Sequence, residues 1–154
     1  MSAMLKTLTT AAIHTWFRLN RGMTLGVRVL AIDQDQRVCL VRHTYVAGWH
    51  LPGGGVERGE NGLEAAIKEA REEAGLIVEP TQLELRSIHT NFAHFKGDHI
   101  LLYRAHSWTS MPTNRAHEIA EHGFFALNDL PPDTTQGTKN RLAEAAGAPI
   151  SPVW

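Results

Sequence analysis

The sequence predicts an α/β protein with a mixed β-sheet between helices, and three observations predict it. Strand-like runs lead into one strongly amphipathic helical stretch. A second group of strand-like runs leads into another helix, an order that suits a sheet covered on both faces. The chain has 154 residues, 43% of them hydrophobic and 20% charged, which is enough for one packed domain and too apolar for a disordered one.

Residues 1–22 contain no acid, and Leu5, Leu8, Ala12, Trp16 and Leu19 recur at helical spacing. An amphipathic helix follows, read as an extra element packed on the domain or on a second subunit. A transit peptide is the alternative that its basic character allows. Arg21 and Gly22 break the pattern. Thr24 to Ile32 is a β-branched run, Asp33 to Gln36 a turn, and Arg37 to Thr44 a returning strand, so the pair reads as a hairpin. Trp49 to Leu51 is a short strand stopped by Pro52 and three glycines. A helix spans Asn61 to Ala74 and ends at Gly75. Leu83 to Phe95 and Asp98 to Ser107 form two strands joined by the Lys96-Gly97 turn. Ile119 to Leu127 is another strand, and Thr138 to Ala146 the last helix. The organisation expected is an extension at 1–22, a domain at 23–148 and a tail at 149–154.

Composition excludes several classes. Fifteen Lys and Arg against sixteen Asp and Glu give a net charge of -1, so no global field favours nucleic acid. With 1 Cys there is no internal disulfide framework and no Cys-rich zinc site. Cys39, between apolar neighbours, reads as a small core residue. No run approaches the ~18 apolar residues of a membrane span. A cytoplasmic protein is expected.

The chemistry concentrates in LPGGGVERGENGLEAAIKEAREEAGL, residues 51–76. Asn61 is a good N-cap, and Glu64 can complete a capping box. Leu63, Ala66, Ile67, Ala70 and Ala74 share the predicted core stripe. Glu69, Glu72 and Glu73 fall together on one flank, with Lys68 and Arg71 nearer the other side. Like charges at i, i+3 and i, i+4 cost roughly 0.2–0.5 kcal/mol each, and acids near a helix C-terminus oppose its dipole. Gly53, Gly54 and Gly55 let bare backbone approach a ligand. Glu57 and Glu60 add carboxylates before the helix. Hard oxygen donors in this number suit Mg²⁺ or Mn²⁺, which also bridge phosphate oxygens.

This segment resembles the signature of the Nudix hydrolase family, G-x5-E-x7-R-E-U-x-E-E-x-G-U with U a bulky apolar residue. Gly54 opens it, Glu60 follows, and Lys68, Glu69, Ala70, Glu72, Glu73, Gly75 and Leu76 complete it. Lys68 stands where the family has Arg, whose planar fork Lys cannot copy, and Ala70 is small for its slot. The resemblance implies a Nudix-like α/β/α sandwich and metal-dependent cleavage of a nucleoside diphosphate linked to another moiety, or of a nucleoside triphosphate. It makes Glu72 and Glu73 metal ligands and Glu69 a ligand or the base for water. It adds the Gly53 carbonyl as a further metal contact and Glu60 as support. A base can also lie on a loop before a late strand, which nominates Glu118 as base or further ligand, and Glu121 behind it.

Substrate contacts are weighed on residue type. Arg28 and Arg42 could reach phosphates, although Arg42 could equally pair with Glu57. Trp49, Phe92 and Phe95 could stack on a base or pack in the core. The 9 histidines lack the spacing of a dedicated metal site. The expected partner is a small nucleotide or nucleotide-sugar, with a homodimer conceivable through the N-terminal helix. Two other functions compete: a nucleotide-binding or regulatory module with little turnover, suggested by Lys68, and prenyl diphosphate isomerisation, which lacks a Cys beside the acids.

Overall fold

A computed structural model describes residues 3–113, 115 and 117–154, with side chains from residue 11 onward among these. Helix α1 (Ala3–Asn20) comes first. The predicted face residues Leu5 and Leu8 lie outside the described side chains. Ala12, Trp16 and Leu19 are exposed, so this part of the face is not buried on the domain as the packing reading expected.

Strand β1 (Thr24–Ala31) and strand β2 (Arg37–His43) flank the turn at Asp33, whose carboxylate accepts from the backbone N–H groups of Asp35 and Arg37. The two strands do not form the predicted hairpin. Beyond a single bridge between Ile32 and Val38 they part into different sheets. β1 runs parallel to β6 (Asp98–Ala105), with Thr24 opposite Asp98 and Ala31 opposite Ala105, and β6 runs antiparallel to β5 (Leu83–Thr90). β2 lies between the short β3 (Trp49–His50) and β8 (Ile119–Ala126), antiparallel to both. A small ribbon of β4 (Leu76–Ile77) and β7 (Thr109–Ser110), with a 3-10 turn at Pro80–Gln82, was not foreseen. The β5–β6 connection is wider than a two-residue turn, because β5 ends at Thr90 and residues 91–97 make their own hydrogen-bonded bend.

Alternation along β1 and β2 explains the layers. Val27, Val29, Ala31, Cys39 and Val41 face α2 (Gly62–Ala74) and join Ala65, Ala66, Ala70 and Ala74 in one core. Leu30, Val38 and Leu40 point the other way, to a second core with Leu51, Leu102 and Leu142 of α3 (Gln136–Ala145). The result is the expected α/β arrangement, with a mixed sheet and helices on both sides.

Both ends of α2 follow from local chemistry. The Asn61 side chain accepts from the Glu64 N–H, and the Glu64 carboxylate accepts from the Asn61 N–H, completing the capping box. Gly75 closes the helix in the left-handed region at φ 66°. The buried face is rotated from the predicted stripe. Glu69 and Glu73 are buried beside the alanines, while Leu63 and Ile67 are only half-buried.

Candidate active site

The glycine loop is laid along the free edge of β1. Val27 and Val29 donate their N–H groups to the Gly54 and Pro52 carbonyls, and Val56 donates to the Leu25 carbonyl. Gly53 has φ 155°, and a Cβ there would stand 2.0 Å from the Val27 carbonyl oxygen. Only glycine fits this crossing. Arg28, on β1, donates from Nη1 to the carbonyls of Leu51 (2.9 Å) and Gly53 (3.2 Å). It therefore braces the loop from within, where the sequence offered it as a phosphate ligand. Burial lowers its pKa, and the charges of Glu73 and Glu69 oppose that shift.

Helix α2 presses two carboxylates onto this loop. Glu73 accepts from the Gly53 N–H through Oε2 (2.9 Å) and from His43 Nε2 through Oε1 (2.8 Å). The Glu69 carboxylate fills the space a side chain at Gly54 would need: a Cβ there would lie 2.8 Å from its Cδ. Burial raises the Glu69 pKa, and the charge of Glu73 raises it further. Two buried anions side by side call for positive charge.

Cations already line the flank. Lys68 pairs with Glu60 at 2.9 Å and approaches Glu69 at 3.7 Å, so it joins the acids that the helical wheel set apart from it. The Lys68 hydrogen bond holds the Glu60 carboxyl below its ordinary pKa, and Glu60 also accepts from the Glu57 N–H. Glu57 enters through its backbone. Glu72 forms ion pairs with Arg115 and, at 3.8 Å, with Arg71. Its carbonyl accepts from the Thr113 hydroxyl at 2.6 Å. Arg115 also holds Glu118. This joins α2 to the loop before β8 and links Glu118 to Glu72 through a shared arginine. Among the described residues, no three His, Cys, Asp or Glu side chains are gathered as a ready-made metal site. Glu72 is turned to Arg115 and Glu73 to His43.

Other nominated residues are placed elsewhere. Arg42 pairs with Glu121, its cross-strand neighbour, at 3.0 Å and not with Glu57. That pairing also occupies Glu121. Trp49 is buried in the second core with its ring against Phe125 at 4.7 Å, closed to a base. Phe92 and Phe95 are about half-exposed, and neither lines the cavity beside the glycine loop. That cavity, about 560 Å³, is bounded by Gly53, Gly54, Arg28, His43, Tyr45 and Trp154. His43 and the glycine loop are common to the cavity and the acidic cluster. His43, Arg115 and Trp154 were missed in the sequence. For His43 a signal existed, as a polar residue at the end of an apolar strand run.

The Nudix domain model matches residues 22–145. Among curated relatives, an RNA pyrophosphohydrolase of Halorhodospira halophila (strain DSM 244 / SL1) is 40% identical over 55 residues, covering 36% of this chain and 30% of the relative. The m7GpppN-mRNA hydrolase NUDT17 of Danio rerio is 36% identical over 70 residues, covering 42% and 23%. The match thus spans less than a third of either relative's length. A solved MutT Nudix hydrolase from Burkholderia pseudomallei superposes with TM-score 0.66 at 27% identity, covering 81% of this chain and 98% of that one. A solved ADP-ribose pyrophosphatase from Streptococcus suis 89-1591 gives TM-score 0.57 at 25% identity, covering 82% and 94%. The signature read at Gly54 to Leu76, the two-sided sheet and a family match over most of the sequence agree: the chain belongs to the Nudix hydrolase family.

Proposed function

We propose that this chain hydrolyses phosphoanhydride bonds in nucleoside diphosphate derivatives or nucleoside triphosphates, using Mg²⁺ or Mn²⁺ and water attack on phosphorus. The observation that carries the reading is the burial of Glu69 and Glu73 against Gly53 and Gly54. Such a buried pair of carboxylates is stable in ionised form only beside positive charge. The donor set fits a hard divalent ion. Glu69, Glu72 and Glu73 would hold it, with the Gly53 carbonyl as a further oxygen donor and Glu118 as either a further donor or the base for water. When bound, the ion neutralises the phosphoanhydride and lowers the pKa of water.

The chain's own groups do the rest. Lys68 and Glu60 steady the Glu69 side of the cluster. His43 and the Gly53 N–H fix both oxygens of Glu73. Arg115 holds Glu118 Oε2, and His117 Nε2 lies 3.7 Å from Oε1, the oxygen that as base would take the proton of the attacking water. The Glu118 side chain is 38% exposed, so water reaches it.

A panel of nucleoside triphosphates, ADP-sugars and capped or 5′-triphosphate RNA, assayed with and without Mg²⁺ or Mn²⁺, tests the reading. Metal-dependent release of phosphate, pyrophosphate or nucleoside monophosphate is expected from at least one member. Glu72→Gln should lower that turnover by about two orders of magnitude. Tight nucleotide binding with no turnover from any member would favour the binding-module reading.

A further inference from the structure

We infer that Trp154 is the base-stacking wall of the substrate cavity, positioned there by a clamp built around Arg141. This deepens the reading of the chain as a nucleotide hydrolase and rests on it. The sequence offered Trp49 and Phe92 for stacking; the first is buried in the core and the second lies outside the cavity. Trp154 borders the cavity together with Gly53, Gly54 and His43, the residues that contact the acidic cluster.

The clamp is unusual in its burial. Arg141 is fully buried on α3 and pairs with Glu144 at 2.8 Å. Its Nη1 and Nη2 donate to the Val153 carbonyl, and Nη1 also meets His89 Nδ1 at 3.0 Å. Glu144 accepts from the Ser151 N–H at 2.9 Å. The tail then continues alongside β5: Thr90 donates to the Pro152 carbonyl, and Trp154 donates to the Thr90 carbonyl. A buried ion pair is costly unless its hydrogen bonds are met. Here the tail backbone meets them at Arg141 Nη1, Nη2 and Glu144 Oε1, while Arg141 Nε and Glu144 Oε2 have no partner among the described residues. The indole is the side chain this arrangement carries to the cavity.

Two contacts orient the ring. The Arg141 guanidinium lies over the indole, 5.0 Å from its centroid, and the His89 edge meets it at 5.6 Å. Gly137, in the first turn of α3, leaves space for it, since a Cβ there would stand 2.3 Å from the indole nitrogen. The ring packs in part against the second core, and the half-buried surface it keeps on the cavity side offers stacking to any base while reading none of its edges.

The test compares a ligand with a base and one without. Binding of a non-hydrolysable nucleoside triphosphate analogue and of inorganic tripolyphosphate to the full chain is measured calorimetrically in Mg²⁺. Trp154→Leu should weaken nucleotide binding about tenfold, the order of one lost base stack, and leave tripolyphosphate binding unchanged. Trp154→Phe should restore most of the loss. An equal loss for both ligands, or no loss for the nucleotide, overturns the assignment, and turnover by the wild type in the panel assay would still stand. If the wild type binds neither ligand, both readings fall. Should Trp154→Leu fail to fold, Trp154→Phe decides alone: a nucleotide affinity reduced more than tenfold in a folded aromatic variant refutes stacking.

Discussion

Replacing Gly54 by alanine should separate function from folding at this site. The added Cβ would stand 2.8 Å from Glu69 Cδ, 2.9 Å from Oε1 and 3.1 Å from Oε2. These atoms are the far end of a side chain, so the carboxylate can swing away. The fold should lose only about 1 kcal/mol, the low end of overpacking costs. The displaced carboxylate is a proposed metal ligand, and a shift of about 1 Å there is worth about 10²-fold in rate. Gly53→Ala is the control. Its Cβ would meet backbone, 2.0 Å from the Val27 carbonyl oxygen and 2.9 Å from Arg28 Cα, at φ 155°. Steric strain and overpacking together then cost about 2–6 kcal/mol. Urea unfolding gives the stability of each variant, and Mn²⁺ titration followed by electron paramagnetic resonance reports ligand geometry. A Gly54→Ala protein with wild-type Mn²⁺ affinity and turnover would refute the reasoning, as would one destabilised as deeply as Gly53→Ala.

Lys68→Arg should preserve or raise turnover, because a guanidinium can hold Glu60 and Glu69 together; a fall of more than tenfold in kcat would show that Lys68 is specifically required. Cys39 is buried, and burial pushes its thiol up to about 12. A thiol reagent at pH 8 should therefore label it only as fast as the protein unfolds, and rapid labelling of native protein would contradict this. Arg141→Leu leaves Glu144 buried without its cation and should cost about 3–5 kcal/mol in urea unfolding. Adding Glu144→Leu should recover most of that loss, and no recovery would mean that the tail contacts, not the ion pair, set the stability.

Locally encoded features were legible. Asn61, Glu64 and Gly75 act through neighbours a few residues away, so the span of α2 could be read directly. The acids of α2 and the Gly53–Gly55 run were equally visible, because their clustering is a matter of helical spacing. The partnering of β1 was not. Its run and that of β2 are apolar on both faces, which hides which strand lies beside which. The turn at Asp33 suggested adjacency that the sheets then divide. Ion-pair choices were illegible for the same reason: Arg42 meets Glu121 through the β2–β8 register, and Arg115 reaches Glu72 from a distant loop. Trp154 had no periodic context at all. Its place depends on Arg141, which the sequence alone presents as one more helix-surface charge.

The parallel pairing of β1 with β6 has a consequence for how the enzyme comes into being. Thr24 hydrogen-bonds to Asp98, 74 residues further on. A ribosome has therefore released every signature glutamate well before the strand that seats β1 emerges. Until residue 105 is out, the emerging polypeptide carries the acids without the braced edge they lean on. Long-range parallel contacts close slowly. Divalent ions should therefore find no purchase on a nascent chain truncated before β6, and competence should arise late and all at once during synthesis.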